Sequence, residues 1–154
     1  MKSRSVALLC VSLAAFAAPG LALAQARPQP QAQQKPAQPP KEEKNFPKDS
    51  NWTLRTMNGK PLPQGVEATL RIDGQFRGSG FSGCNTWSAT MWPVRQQRFA
   101  VGPVALTKKQ CDAQKLAFER TYLSILHNGS SWDLVGGLLE VKSASGTLAF
   151  TRGF

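Results

Sequence analysis

Between residues 52 and 72 apolar and polar side chains alternate with a period of two. Trp52 and Leu54 fall on one face with Thr53 and Arg55 on the other, and Ala68, Leu70 and Ile72 alternate with Thr69 and Arg71. Successive strand side chains point to opposite faces, so this pattern predicts strands with one buried face. Asp73-Gly74 follows at once and signals a hairpin. Gln75–Phe81 returns as its partner strand, with Gly78 and Gly80 marking a bulge or a close backbone approach. Trp87–Trp92 and Arg98–Val101 are shorter strand candidates. Over residues 112–127 the period lengthens. Phe118, Tyr122, Ile125 and Leu126 line one side and Leu116 and Leu123 widen it, which predicts a helix. Asp112 suits its first turn and Asn128-Gly129 its C-terminal cap. Trp132–Val135, Leu138–Lys142 and Thr147–Thr151 then read as strands, with Trp132/Leu134, Leu139/Val141 and Leu148/Phe150 facing inward. Strands, one helix, then strands, without strict βαβ alternation, predict an α+β domain over 50–154. Its expected form is an antiparallel-dominated curled sheet or partial β-barrel packed against one helix.

The first 48 residues follow neither period. Lys2 and Arg4 precede an apolar stretch from Val6 to Ala18, Pro19-Gly20 breaks it, and Ala22-Leu23-Ala24 is a small-x-small cleavage pattern. Residues 1–24 therefore read as a signal peptide cut after Ala24, or secondarily after Ala26. The stretch is too interrupted for a membrane anchor. Cys10 sits inside the apolar run rather than at the cleavage site, so lipid attachment is not expected. Residues 25–48 are rich in Pro and Gln and carry almost no apolar side chains, the composition of an extended, disordered tether. The expected location is periplasmic or secreted, with no transmembrane helix left after cleavage.

Charge and cysteine usage narrow the partners. The chain carries a formal net charge of +10, and residues 50–154 hold twelve basic and six acidic side chains. Such a balance favours anionic partners such as an acidic envelope polymer. No four Lys or Arg are adjacent, and Lys108-Lys109 is the densest basic spot, so specific nucleic-acid binding is not expected. Once Cys10 leaves with the signal, Cys84 and Cys111 remain. An even thiol count in an exported chain predicts a disulfide, worth roughly 3–4 kcal/mol on the chain-entropy account. A redox pair would have closer spacing, and a zinc site would need more ligands than His127, the only histidine.

Candidate chemistry is sparse. Gly83-Cys84-Asn85 reads as a tight turn rather than a binding loop. Glu119 borders the apolar helix face without a partner carboxylate or nucleophile, so an ion pair or backbone hydrogen bond is expected of it. His127 suits the negative end of the helix dipole. Ser79, Ser82 and Ser88 have no base beside them in the sequence. Asn51-Trp-Thr and Asn128-Gly-Ser match the glycosylation pattern, which matters only in a eukaryotic secretory route. Trp87, Trp92, Arg95 and Arg98 form the candidate ligand surface, suited to stacking on a sugar or pairing with an anion. No catalytic residue, cofactor or metal site is predicted.

One combination of motifs is more telling. Trp52-Thr-Leu opens the domain, and Leu70-Arg-Ile-Asp-Gly-Gln-Phe-Arg-Gly-Ser-Gly runs into Gly83-Cys84-Asn85. Thr107-x-x-x-Cys111, Glu119-x-x-Tyr122-Leu123 and Leu148-x-Phe150-x-Arg152 follow. This order resembles the META domain family, also called HslJ-like, over about residues 50–154. The resemblance implies a small, mostly antiparallel β fold against a helix. It also implies an envelope setting, a loose link to stress and drug tolerance, and no agreed enzymatic activity. An aromatic residue common two positions after Gly-Cys-Asn is here Trp87. The expectation is a monomeric, non-enzymatic exported protein that interacts with or stabilises an unidentified envelope component. The alternative is a binding module for an anionic or sugar-containing ligand.

Overall fold

The computed structural model describes residues 43–153. The signal peptide expected over 1–24 and most of the tether expected over 25–48 lie outside the described residues. The elements run β1 (Ser50–Met57), β2 (Lys60–Pro61), β3 (Thr69–Ile72), β4 (Arg77–Phe81), β5 (Thr86–Val94), β6 (Arg98–Val101), β7 (Ala105–Leu106), α1 (Ala113–His127), β8 (Gly129–Val135), β9 (Leu138–Ser143) and β10 (Gly146–Arg152). All pairings are antiparallel. The strands stand in the order β10-β9-β8-β6-β5-β4-β3-β1, with β7 and α1 intervening between β6 and β8, and β10 pairs with β1. The result is a closed eight-stranded barrel, so the partial barrel expected from the sequence is corrected to a complete one. Closure rests on Trp52 opposite Arg152 through Met57 opposite Leu148. The thinnest seam is β6–β8, where Arg98 opposite Ser131 is the one strand pair.

The period-two pattern determines what lies inside. Trp52, Leu54, Leu70, Ile72, Trp87, Met91, Leu139, Val141, Leu148 and Phe150 are all buried in one cluster. Each such side chain contributes about 1.5–3 kcal/mol through burial. From α1, Phe118, Tyr122, Ile125 and Leu126 complete the same cluster. Tyr122 packs parallel to Phe118 and edge-on to Phe150, and its hydroxyl donates to the Thr69 carbonyl at 3.0 Å. Asp112 caps the helix by accepting from the Lys115 amide at 2.8 Å, and Asn128 closes its other end. Gly80 is the close approach that the sequence marked: a Cβ there would stand 1.9 Å from the Thr69 carbonyl oxygen.

One local reading holds and one changes. The 73–77 hairpin signalled by Asp73-Gly74 forms, with its left-handed residue at Phe76. Asp73 accepts from the Gln75 and Arg77 amides and pairs with the Arg77 guanidinium at 2.7 Å, and this side chain sets the turn. The Arg77 amide, chiefly, holds the Asp73 carboxyl below its ordinary value. The change is at the start. Residues 43–48, read as the end of the tether, pack on the barrel. Phe46 meets Trp132 edge-on at 5.5 Å and Phe76 at 6.3 Å, and the Pro47 carbonyl accepts from the Trp52 indole. Lys44 pairs with Asp133 at 2.7 Å, and Glu43 accepts from the Gln96 amide. One aromatic residue with apolar neighbours to receive it outweighs the Pro- and Lys-rich composition around it. Among the described residues, no helix is long and apolar enough to cross a membrane.

Candidate functional site

Glu119 is the one buried carboxylate of the helix, and it faces the turn between β4 and β5. Its oxygens accept from the Asn85 amide and from Asn85 Nδ2, both at 2.9 Å, and from the Ser82 hydroxyl. Asn85 Oδ1 in turn accepts from Thr107 Oγ1 and the Lys109 amide, each at 2.8 Å. Asparagine fits here because one side chain must both donate and accept; aspartate would lose the donor and repel Glu119. Gly83 holds the turn in the left-handed region, and a Cβ there would press within 2.7 Å of the Phe118 ring. Cys84 and Cys111 are disulfide-bonded, which pins the 107–111 segment beside the same turn. The Gly-Cys-Asn, Thr-x-x-x-Cys and Glu119 positions thus form one hydrogen-bonded corner. A carboxylate so engaged has its acceptor positions filled by groups that hold the fold. The hydrogen bond to backbone expected of Glu119 is present.

The four residues of the candidate ligand surface do not stay together. Trp87 is only 1% exposed and packs near Tyr122 in the core. Trp92 lies five positions on, on the opposite face of β5, and is 42% exposed. Trp87 therefore leaves the predicted surface, which keeps Trp92, Arg95 and Arg98. Arg98 lies opposite Val94 across the β5–β6 ladder, and Ala100 opposite Trp92. Among the described residues, the Arg95 and Arg98 side chains have no ion-pair or hydrogen-bond partner, and both are exposed. The hairpin tip carries two left-handed glutamines, Gln96 and Gln97. Such positions cost roughly 1–2 kcal/mol per residue. Gln97 is held there by its Nε2 hydrogen bond to Asp133 at 2.8 Å and by its carbonyl, which accepts from the Trp132 amide. Beneath the tip, Lys44, Phe46, Val94, Arg95 and Trp132 line a cavity of about 380 Å³. Among the described residues, the buried Trp132 indole N–H has no hydrogen-bond partner. Among the described residues, no group of three or more His, Cys, Asp or Glu side chains gathers in metal-binding range.

Residues 45–153 match the META domain. The chain belongs to the META domain family. No curated protein matches the sequence. Its META domain is similar in fold to an NMR structure of a protein from Burkholderia xenovorans, with a TM-score of 0.58 and 22% identity over 74% of this chain and 96% of that one. A second NMR structure aligns with a TM-score of 0.55 and 23% identity, covering 66% of this chain and 87% of the other. At this identity the likeness speaks for the barrel and not for a ligand.

Within this META domain, sequence reasoning singled out the motifs that form the polar corner without bringing Glu119 to the Gly-Cys-Asn turn, and it missed Lys44, Gln97 and Asp133. Their link joins the N-terminal segment, the β5–β6 tip and β8, which are far apart in the chain. Phe46, the sole aromatic side chain in 25–48, was the available signal. Nothing local pointed to Gln97, because glutamine at a left-handed turn position breaks the usual Gly/Asn preference.

Proposed function

We propose that the protein is an exported, non-enzymatic module of the cell envelope that acts by binding another envelope component. The observation that carries this reading is how the polar and apolar groups are divided. The buried polar side chains Ser82, Asn85, Gln97 and Glu119 are all engaged in hydrogen bonds that hold the barrel. The exposed hydrophobic side chains Trp92 and Val94 instead share one hairpin with the unpaired Arg95 and Arg98. Aromatic and arginine side chains are enriched where proteins meet partners. The signal-like pattern of residues 1–24 supports export, and family resemblance supports the link to envelope stress or drug tolerance. A photo-crosslinker at Val94 tests the reading in cells. Adducts with a defined envelope component, weakened by Arg98→Glu, are expected. If Val94 gives no more adduct than a crosslinker at Lys142, the reading fails.

A second reading takes an anionic or sugar-containing polymer as the ligand. It is favoured by two exposed guanidiniums, those of Arg95 and Arg98, on the same hairpin as an exposed indole. Binding to dextran sulfate but not to neutral dextran, falling steeply with salt, is its expected signature. Equal retention of wild type and an Arg95→Ser/Arg98→Ser double variant would dismiss it.

A further inference from the structure

A different surface carries an inference beyond that reading. Between α1 and the segment joining β6 to β7 lies an open apolar trough of about 640 Å³. Pro103, Val104 and Leu106 line it from the strand side and Leu123 from the helix. Leu106 is 43% exposed, whereas the apolar residues on the barrel's inner face are nearly all covered. Contiguous exposed apolar surface on a small domain marks a contact site. The trough is open to solvent rather than enclosed, which suits a segment of polypeptide laid against it better than an enclosed small molecule.

Charge selects the occupant. The titratable side chains lining the trough are Arg120 and His127, with no carboxylate. They lie seven residues apart on α1, about 10 Å along the helix axis. Arg120 is exposed, finds Leu116, Ala117, Leu123 and Ser124 at its helical neighbour positions, and has no ion pair or hydrogen bond among the described residues. The chain's own N-terminal stretch does not complement this. Residues 25–45 carry no Leu, Ile, Val, Met or aromatic side chain, and their four basic residues outnumber two acidic ones. A second copy in two-fold contact would set one basic trough against another.

We propose that the trough docks a partner segment bearing a short run of apolar side chains flanked by a carboxylate. The apolar side chains seat between Leu106 and Leu123, and the carboxylate meets the Arg120 guanidinium. Fluorescence anisotropy with the full chain tests this, using two labelled amphipathic peptides that share one leucine face and differ only in glutamate or lysine flanks. The glutamate peptide is expected to bind saturably and the lysine peptide not. Arg120→Glu should weaken the glutamate peptide roughly ten-fold, the scale of a charge-assisted contact, and turn the preference toward lysine. Leu106→Asp should abolish binding with an unchanged melting temperature, since Leu106 is exposed. Trp92→Ala should leave binding intact, which separates this site from the β5–β6 face. Equal binding of both peptides, no saturable binding of the glutamate peptide, or indifference to Arg120→Glu would overturn the proposal. So would a concentration-dependent dimer that Leu106→Asp dissolves, which would give the trough to a second copy.

Discussion

The corner around Glu119 and the clasp around Phe46 do the same job by opposite means. Each ties a segment remote in sequence to the barrel. The Glu119 corner does so with a buried carboxylate, three donors and a disulfide alongside. The Phe46 clasp uses an edge-on ring contact, one indole hydrogen bond and an ion pair whose lysine is 40% exposed. Their failure modes differ accordingly. Removing one partner from a buried polar network strands the rest without water, which costs more than the network's net worth. Removing a half-buried ring loses only its own contact area, and an exposed ion pair adds little.

The largest expected effect is therefore Glu119→Ala. It leaves the Asn85 amide and Asn85 Nδ2 without their carboxylate acceptor and the Ser82 hydroxyl with only the Asn85 carbonyl, and we expect a loss of ~3–5 kcal/mol in denaturant unfolding. A loss no larger than that of Phe46→Ala would erase the contrast between the two regions. Next is Cys84→Ser, expected to cost about 3 kcal/mol under oxidising conditions and nothing beyond the reduced wild type once reductant is present. Equal melting of mutant and wild type without reductant would show that the bond does not contribute. Phe46→Ala should cost ~1–3 kcal/mol and raise hydrogen exchange at Trp132 before it raises exchange at Trp87. If exchange at both rises together, the clasp is part of the main core rather than an attachment to it. The smallest effect has the opposite sign. Gln96→Gly relieves a left-handed residue whose side chain makes no hydrogen bond among the described residues, and should stabilise by roughly 0.5–1 kcal/mol. A destabilised Gln96→Gly would mean that the glutamine side chain anchors the tip.

Strand identity was legible wherever one face meets the core, as at Ala68, Leu70 and Ile72, because alternation there records burial directly. The members of the polar corner were legible because they sit in compact motifs, but their meeting was not, since Glu119 lies 34 residues from Asn85. Parity alone also separated the two tryptophans of β5: positions 87, 89 and 91 face inward, so 92 faces out. Placing Trp87 with Trp92 on one surface overlooked that odd spacing. Barrel closure was not legible. The partners Trp52 and Arg152 are a hundred residues apart, and no local signal encodes a register between them. The Phe46 clasp was obscured for a related reason. A single aromatic side chain is decided by what it meets, not by its neighbours in sequence.

The β1–β10 pairing also dictates when the fold can form. The first strand of the ring waits for the last, so a chain emerging from the ribosome has no complete ring until β10 (Gly146–Arg152) is free. Until then, the hairpins have only local partners, and long-range pairing of this kind is slow to nucleate. Removal of β10 (Gly146–Arg152) deprives β1 and β9 of a neighbour at once and opens the ring.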